Sequence, residues 1–355
     1  MSATVRSGSR ARIPLIVVTG FLGAGKTTLL KRLLASPALA GSLVLVNEFG
    51  EAGLDDRLLS GSATVIGLLS GCVCCTVRGE FSATLEELLR DIDNGRRGAP
   101  DRVIVETTGL ASPAPIIATV IGHPYLRLRF LAAGVITVVA ANAFLETAIE
   151  MREAVEQVAL ADLIVISKTD LAPSDGRLST AIEAINAEAP IVTTADGDSA
   201  LAALLQKPAP TARGQFLSLA VPPKEVSHAK RFDSFTLDVP EPIGADALTR
   251  FLNHLAERFG TRLLRLKGLV TLREEAGRPS VVQAVQGAYD IGGRLPSWPP
   301  GARGALTLIG RELPEAEIRQ LFAAAVGAAQ PDTPDAAAAF DNPLVMPWRR
   351  RSLDG

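Results

Sequence analysis

Residues Gly20-Phe-Leu-Gly-Ala-Gly-Lys26-Thr27 fit the pattern G-x-x-x-x-G-K-[ST] in full. They stand between an apolar, β-branched run, Ile13–Thr19, and a stretch, Lys26–Ala35, in which Leu29, Leu30, Leu33 and Leu34 fall at helical spacing. A glycine-rich turn that joins a buried strand to a helix lets backbone N–H groups face inward around an anion, at a helix end of partial positive charge. A core gains nothing from a lysine at that point, so the turn reads as a phosphate cradle. Gly20, Gly23, Ala24, Gly25, Lys26, Thr27 and Thr28 form it. Lys26 is placed to reach β- and γ-phosphates, and the Thr27 hydroxyl to hold Mg²⁺.

Further strands repeat the apolar, β-branched character of the first: Ser42–Val46, Arg102–Val105, Val135–Val139 and Leu163–Ile166. Between them lie helical stretches, including Phe81–Asp93, where Leu85, Leu88, Leu89 and Ile92 make one apolar stripe. Such alternation predicts an α/β fold, a doubly wound and mainly parallel sheet with ligands at the strand carboxyl ends. After a Pro-rich interruption at 207–230 the pattern changes to strand Ser234–Val239, helix Ala245–Phe259, strands Arg262–Leu272, Ser280–Gln286 and Leu306–Ile309, and helix Glu315–Val326. This second part reads as a smaller α+β domain. The expected organisation is a flexible basic leader (1–12), a phosphate-binding domain (13–206), a linker (207–230), the α+β domain (231–326) and a mobile tail (327–355). The basic leader and the apolar run after it imitate an export signal, but Lys26, Lys31 and Arg32 interrupt the run, and cleavage would discard the phosphate cradle.

Two later strand ends carry polar groups. Arg102-Val-Ile-Val-Glu106-Thr-Thr-Gly109 ends in a carboxylate that would lie near the cradle and orient a Mg²⁺-bound water, with the Gly109 N–H placed to sense a γ-phosphate. Leu163-Ile-Val-Ile-Ser167-Lys168-Thr-Asp170 ends in an aspartate able to accept hydrogen bonds from guanine N1–H and its 2-amino group, while the Lys168 stem can lie along the base. The expected catalytic set is Lys26, Thr27 and Glu106, and the nucleotide-binding set adds Gly109, Ser167, Lys168 and Asp170.

All 3 cysteines fall within Gly71-Cys72-Val-Cys74-Cys75. Neighbouring Cα atoms about 3.8 Å apart sit below the roughly 4.4 Å lower limit of relaxed disulfides, so a Cys74–Cys75 bridge would be strained. Thiolates suit Zn²⁺, Co²⁺ or Cu(I), and three of them leave a tetrahedral ion one ligand short, an incompleteness suited to transient holding. Burial as small apolar side chains and redox sensing are the other readings of the cluster. His123, His228 and His254 are scattered and form no metal store.

Taken in order, these elements resemble the CobW-type P-loop GTPases, relatives of the nickel-insertion GTPases. The matching segments are Gly20–Leu30, Asn47-Glu-Phe-Gly-Glu-Ala-Gly-Leu-Asp55, Gly71–Val77, Glu106–Leu110 and Ser167–Asp170, with Arg265-Leu-Lys-Gly268 and Val285-Gln-Gly287 as landmarks of the C-terminal part. The resemblance runs from about Pro14 to Val326. It implies a GTP-dependent metallochaperone, with GTP and Mg²⁺ as ligands and zinc or cobalt as cargo. It makes Asn47–Asp55 a switch segment, Asp55 a contact to Mg²⁺ with Thr27 and Glu106, and Cys72, Cys74, Cys75 and Glu48 the metal ligands. Ser167 replaces the family's more usual Asn, and Ala140 stands where many relatives carry Asp.

Charge and composition narrow the partners. With 36 Lys plus Arg against 38 Asp plus Glu, net charge −2, nothing favours nucleic acid or an anionic membrane. No uncharged apolar stretch reaches the roughly 18 residues of a membrane span. The expected setting is the cytoplasm. The partner implied is a client metalloprotein or metal-requiring enzyme, and a homodimer is left open. Two rival readings stand beside the metallochaperone. A small-molecule kinase on the same P-loop gives no reason for three clustered cysteines. An assembly chaperone without metal transfer of its own would use the C-terminal domain for docking.

Overall fold

The computed structural model describes residues 11–46, 64–67, 77–172, 176–198, 201, 232–239, 242–275, 277–299 and 301–327. Strand β1 (Ile13–Thr19) is buried at every position, which demands cover on both faces. Its alternation supplies two cores. Ile13, Leu15 and Val17 pack with Phe81, Leu85 and Leu89 of α2 (Val77–Asp93) and with Ile117 and Ile121 of α3 (Ala114–Gly122). Ile16 and Val18 face Leu29, Leu30, Leu33 and Leu34 of α1 (Lys26–Leu34).

Around β1 lie β2 (Ser42–Val46), β3 (Thr64–Gly67), β4 (Arg102–Glu106), β5 (Phe130–Ala140), β6 (Leu163–Ser167) and β7 (Ile191–Thr193). They form a seven-stranded sheet in the order β3-β2-β4-β1-β5-β6-β7. Every pairing in it is parallel. The flanking helices also include α4 (Leu126–Arg129), α5 (Phe144–Glu150), α6 (Arg152–Ala159) and α7 (Arg177–Ile185). The P-loop leaves β1 between β4 and β5, so the ends of those two strands become its walls.

The second sheet is antiparallel. It is built from β8 (Asp233–Asp238), β9 (Leu263–Thr271), β10 (Pro279–Val285), β11 (Ala288–Arg294) and β12 (Ala305–Gly310) in the order β11-β10-β9-β12-β8. Helices α8 (Ala245–Phe259) and α9 (Glu315–Gly327) cover one face, and Phe251 meets Phe322 edge-on with ring centroids 5.0 Å apart. The strand β11 was not foreseen in the sequence. It follows a two-residue turn in which Gln286 (φ 48°) and Gly287 (φ 83°) are both left-handed, the geometry of a tight hairpin.

The other face of this sheet lies against the parallel unit, where Leu264, Val285 and Ile309 complete the α2–α3 core. Buried charges mark the seam. Asp162 forms ion pairs with Arg265 and Lys267, and its Oδ2 accepts from the Val135 N–H at 2.9 Å. Arg265 also donates to the carbonyls of Leu160 (3.1 Å) and Ala161 (2.6 Å). Burial pushes the Asp162 carboxyl up, but Arg265, Lys267 and these hydrogen bonds outweigh it and hold the group below its usual range. Glu188, nearby, is pushed up by burial, partly offset by a hydrogen bond with Thr307 and by the same two cations. Farther along the seam Arg12 pairs with Asp290 (3.3 Å) and donates to the Gly292 carbonyl (2.7 Å). Among the described residues no helix is long and apolar enough to cross a membrane.

Candidate functional site

The glycine-rich turn occupies the carboxyl end of β1. Gly25 caps α1 in the left-handed region (φ 90°), a conformation an L side chain would strain. Ala24 is buried, Lys26 is buried to 7% exposure, and Gly20, Gly23, Thr27 and Thr28 complete the loop. The Lys26 Nζ lies 3.4 Å from the Phe21 carbonyl and donates to it, so the ammonium is held inside the cradle.

The end of β4 forms one wall. The Thr27 hydroxyl donates to Glu106 Oε1 at 2.6 Å, and Glu106 itself is 1% exposed. Behind it the Thr107 hydroxyl donates to Thr19 at 2.7 Å, and the Thr107 N–H to the Val18 carbonyl at 3.0 Å. Gly109 lies directly on the P-loop. A Cβ there would come within 2.6–2.8 Å of Leu22, backbone included, so only glycine fits. The end of β6 forms the opposite wall, where the buried Ser167 hydroxyl donates to the Ala24 carbonyl at 2.6 Å. Lys168 follows in the left-handed region (φ 55°) and opens a short 3-10 turn, Thr169–Leu171, that carries the exposed Asp170.

The structure thus gathers Gly20–Thr28, Glu106, Gly109 and Ser167 by direct contact, with Lys168 and Asp170 next in the chain. Cys72, Cys74, Cys75, Glu48 and Asp55 lie outside the described residues. Among the described residues, no group of three or more His, Cys, Asp or Glu side chains is arranged to hold a metal ion.

The family model for the CobW/HypB/UreG nucleotide-binding domain matches residues 14–193, and that for the cobalamin synthesis protein cobW C-terminal domain matches 232–326. The chain belongs to the CobW family. Its curated relatives include the zinc chaperone YjiA of Escherichia coli, 34% identical over 88% of this chain and 98% of that one. The zinc chaperone CobW of Pseudomonas aeruginosa is 32% identical over 87% of this chain and 90% of that one. The crystal structure of the Zn(II)-bound YjiA GTPase from E. coli superposes with a TM-score of 0.65 at 29% identity, covering 88% and 98% of the two chains.

One part of this CobW-family site escaped the sequence reading. On α6, Gln157 donates to the carbonyls of Gly109 and Ala111, both at 3.0 Å, and Glu156 accepts from the Ser112 hydroxyl at 2.6 Å. A signal was present. Gln157 falls on the helix's apolar stripe beside Ala154 and Val158, where an amide needs partners of its own.

Proposed function

We propose that this chain is a GTP-binding, slowly GTP-hydrolysing metallochaperone that couples nucleotide state to the binding and transfer of Zn²⁺ or Co²⁺ at Cys72, Cys74 and Cys75, with Glu48 as a further ligand. The observation that carries this reading is the Thr27–Glu106 hydrogen bond at the mouth of a complete P-loop. The kinship with zinc chaperones over nearly their whole length supports it.

In this reading the P-loop N–H groups and Lys26 hold the phosphates. Thr27 and Glu106 offer hard oxygen donors in mutual contact, a set that fits Mg²⁺, and Asp55 would add a third. When bound there, Mg²⁺ would supply neutralisation of charge on the nucleotide's phosphates. Glu106 orients the attacking water, and the Gly109 N–H reports the γ-phosphate. Lys168 and Asp170 select guanine, and Ser167 braces the loop on which the base pocket borders. No arginine finger is assigned, in keeping with slow turnover. The protein works in the cytoplasm, with residues 13–206 as the nucleotide domain, 207–230 as linker, and 231–326 as the surface for a client metalloprotein.

Competition titration against a chromophoric chelator tests the coupling. One Zn²⁺ or Co²⁺ per chain is expected, with affinity at least about fivefold different between the GTP and GDP forms. A Cys74→Ala, Cys75→Ala variant loses that ion yet still binds GTP. Lys26→Ala stops turnover while melting like the parent. Equal metal affinity in both nucleotide states refutes the coupling, and metal retained by the cysteine variant refutes the site.

A further inference from the structure

The loop after β4 is held from behind by two consecutive side chains that the proposed chemistry does not use. Gln157 is 1% exposed, and its amide nitrogen faces two carbonyls, those of Gly109 and Ala111. Turning the amide over would aim its oxygen at both carbonyl oxygens, so its orientation is fixed by the loop it holds. The amide oxygen is buried with no hydrogen-bond partner among the described residues, a cost accepted for keeping both N–H bonds on the loop. Glu156 divides its carboxylate between two units. Its Oε1 takes the Ser112 hydroxyl, and its Oε2 forms an ion pair with Arg311, just beyond β12 in the C-terminal sheet.

Arg311 is itself fixed within that unit. Its guanidinium lies 5.7 Å from the Phe232 ring centroid, and its backbone N–H donates to the Arg262 carbonyl at 2.9 Å. At the other end of the line Gly109 abuts Leu22 of the P-loop without room for a methyl group. Contacts therefore run unbroken from the P-loop through Gly109, Ser112 and Glu156 to the antiparallel sheet. A loop that moves toward a γ-phosphate must carry Ser112 with it, and so pull on Glu156 and Arg311.

We infer that Gln157 and Glu156 are positioning residues for the triphosphate-sensing loop, and that Arg311 makes the C-terminal domain part of that device. The inference rests on the proposed role of Gly109. A partner docked on the C-terminal domain near Arg311 changes the affinity for GTP, and GTP changes the affinity for that partner by the same factor. GDP, without a γ-phosphate, does not engage the line.

Calorimetry on the full chain with a non-hydrolysable GTP analogue and with GDP decides it. In Arg311→Ala, Glu156→Gln and Ser112→Ala, affinity for the analogue should change by at least about fivefold while that for GDP stays within about twofold. Arg311→Lys should restore much of the difference, and the Glu156→Gln, Arg311→Ala pair should do no more than Arg311→Ala alone. Equal changes for both nucleotides, together with a lowered melting temperature, would mark a merely structural strut and overturn the inference. So would an unchanged affinity ratio in all three variants. Failure of the parent chain to bind either nucleotide would instead overturn the proposed function, and this inference with it.

Discussion

The Ser167 hydroxyl donates to the Ala24 carbonyl at 2.6 Å, with the Val139 carbonyl at 3.3 Å sharing the same proton less directly. A shorter side chain than the family's usual Asn thus still ties the P-loop to the strand that precedes the Thr169–Leu171 turn. The brace acts on the loop, whereas the proposed function assigns discrimination between bases to Asp170. The two roles separate by mutation. Ser167→Ala leaves a buried carbonyl without its donor, at a cost of about 1–3 kcal/mol, and should weaken GTP and GDP alike by roughly tenfold. Asp170→Ala should leave the common affinity of the phosphates largely intact and erase the preference for GTP over ATP, of at least about tenfold, that the proposed function predicts for the parent. Calorimetry with the three nucleotides and Mg²⁺ distinguishes these outcomes. A base preference that shifts in Ser167→Ala but not in Asp170→Ala would reverse the assignment.

At the scale of elements, helix α8 shows how completely a stripe can specify a segment. Leu248, Phe251, Leu252, Leu255 and Phe259 are all buried, and the helix spans Ala245–Phe259 as their spacing predicts. Phe251 is fully buried against Phe322, so Phe251→Ala should cost about 3–5 kcal/mol, seen as a lower urea midpoint, and Phe251→Leu much less. Equal midpoints for the alanine variant and the parent would mean that the α8–α9 contact contributes little. The strands of the parallel sheet that are buried on both faces were legible for the same reason, since β1, β2, β4, β6 and the Val135–Val139 part of β5 carry apolar runs rich in β-branched residues. Strand β11 was not, because Ala288-Tyr-Asp-Ile-Gly-Gly-Arg294 has no alternation, and pairing with β10 makes it a strand. The P-loop was legible as a local motif with a local mechanism. The contacts of Glu156 and Asp162 were not, because their partners lie 155 and 103 residues away at Arg311 and Arg265.

For the whole molecule, the charged seam sets how acid acts on the two units. Asp162 titrates below its unfolded value of about 3.9, so its contribution is present above that pH and is lost as pH falls through the lower folded value. Glu188 has the opposite sign. Its folded pKa is raised, so the charge on its half-buried carboxylate costs stability at neutral pH, and that cost is relieved as pH falls toward about 4.3. Glu188→Gln should therefore raise the melting temperature at pH 7 and narrow its lead over the parent on acidification, a trend that thermal melts between pH 7 and 4 would reveal. A variant less stable than the parent at pH 7 would show that the attraction of Arg265 and Lys267 outweighs burial. The seam also has a consequence in time. Arg12 and its partner Asp290 are 278 positions apart, so at roughly 5–20 residues per second a ribosome delivers the second about 14–56 s after the first. Helix α3 ends at Gly122, 168 positions before Asp290, so for about 8–34 s of that interval the flank that will meet β10 and β11 stays bare on the nascent chain, until translation of those two strands gives it cover.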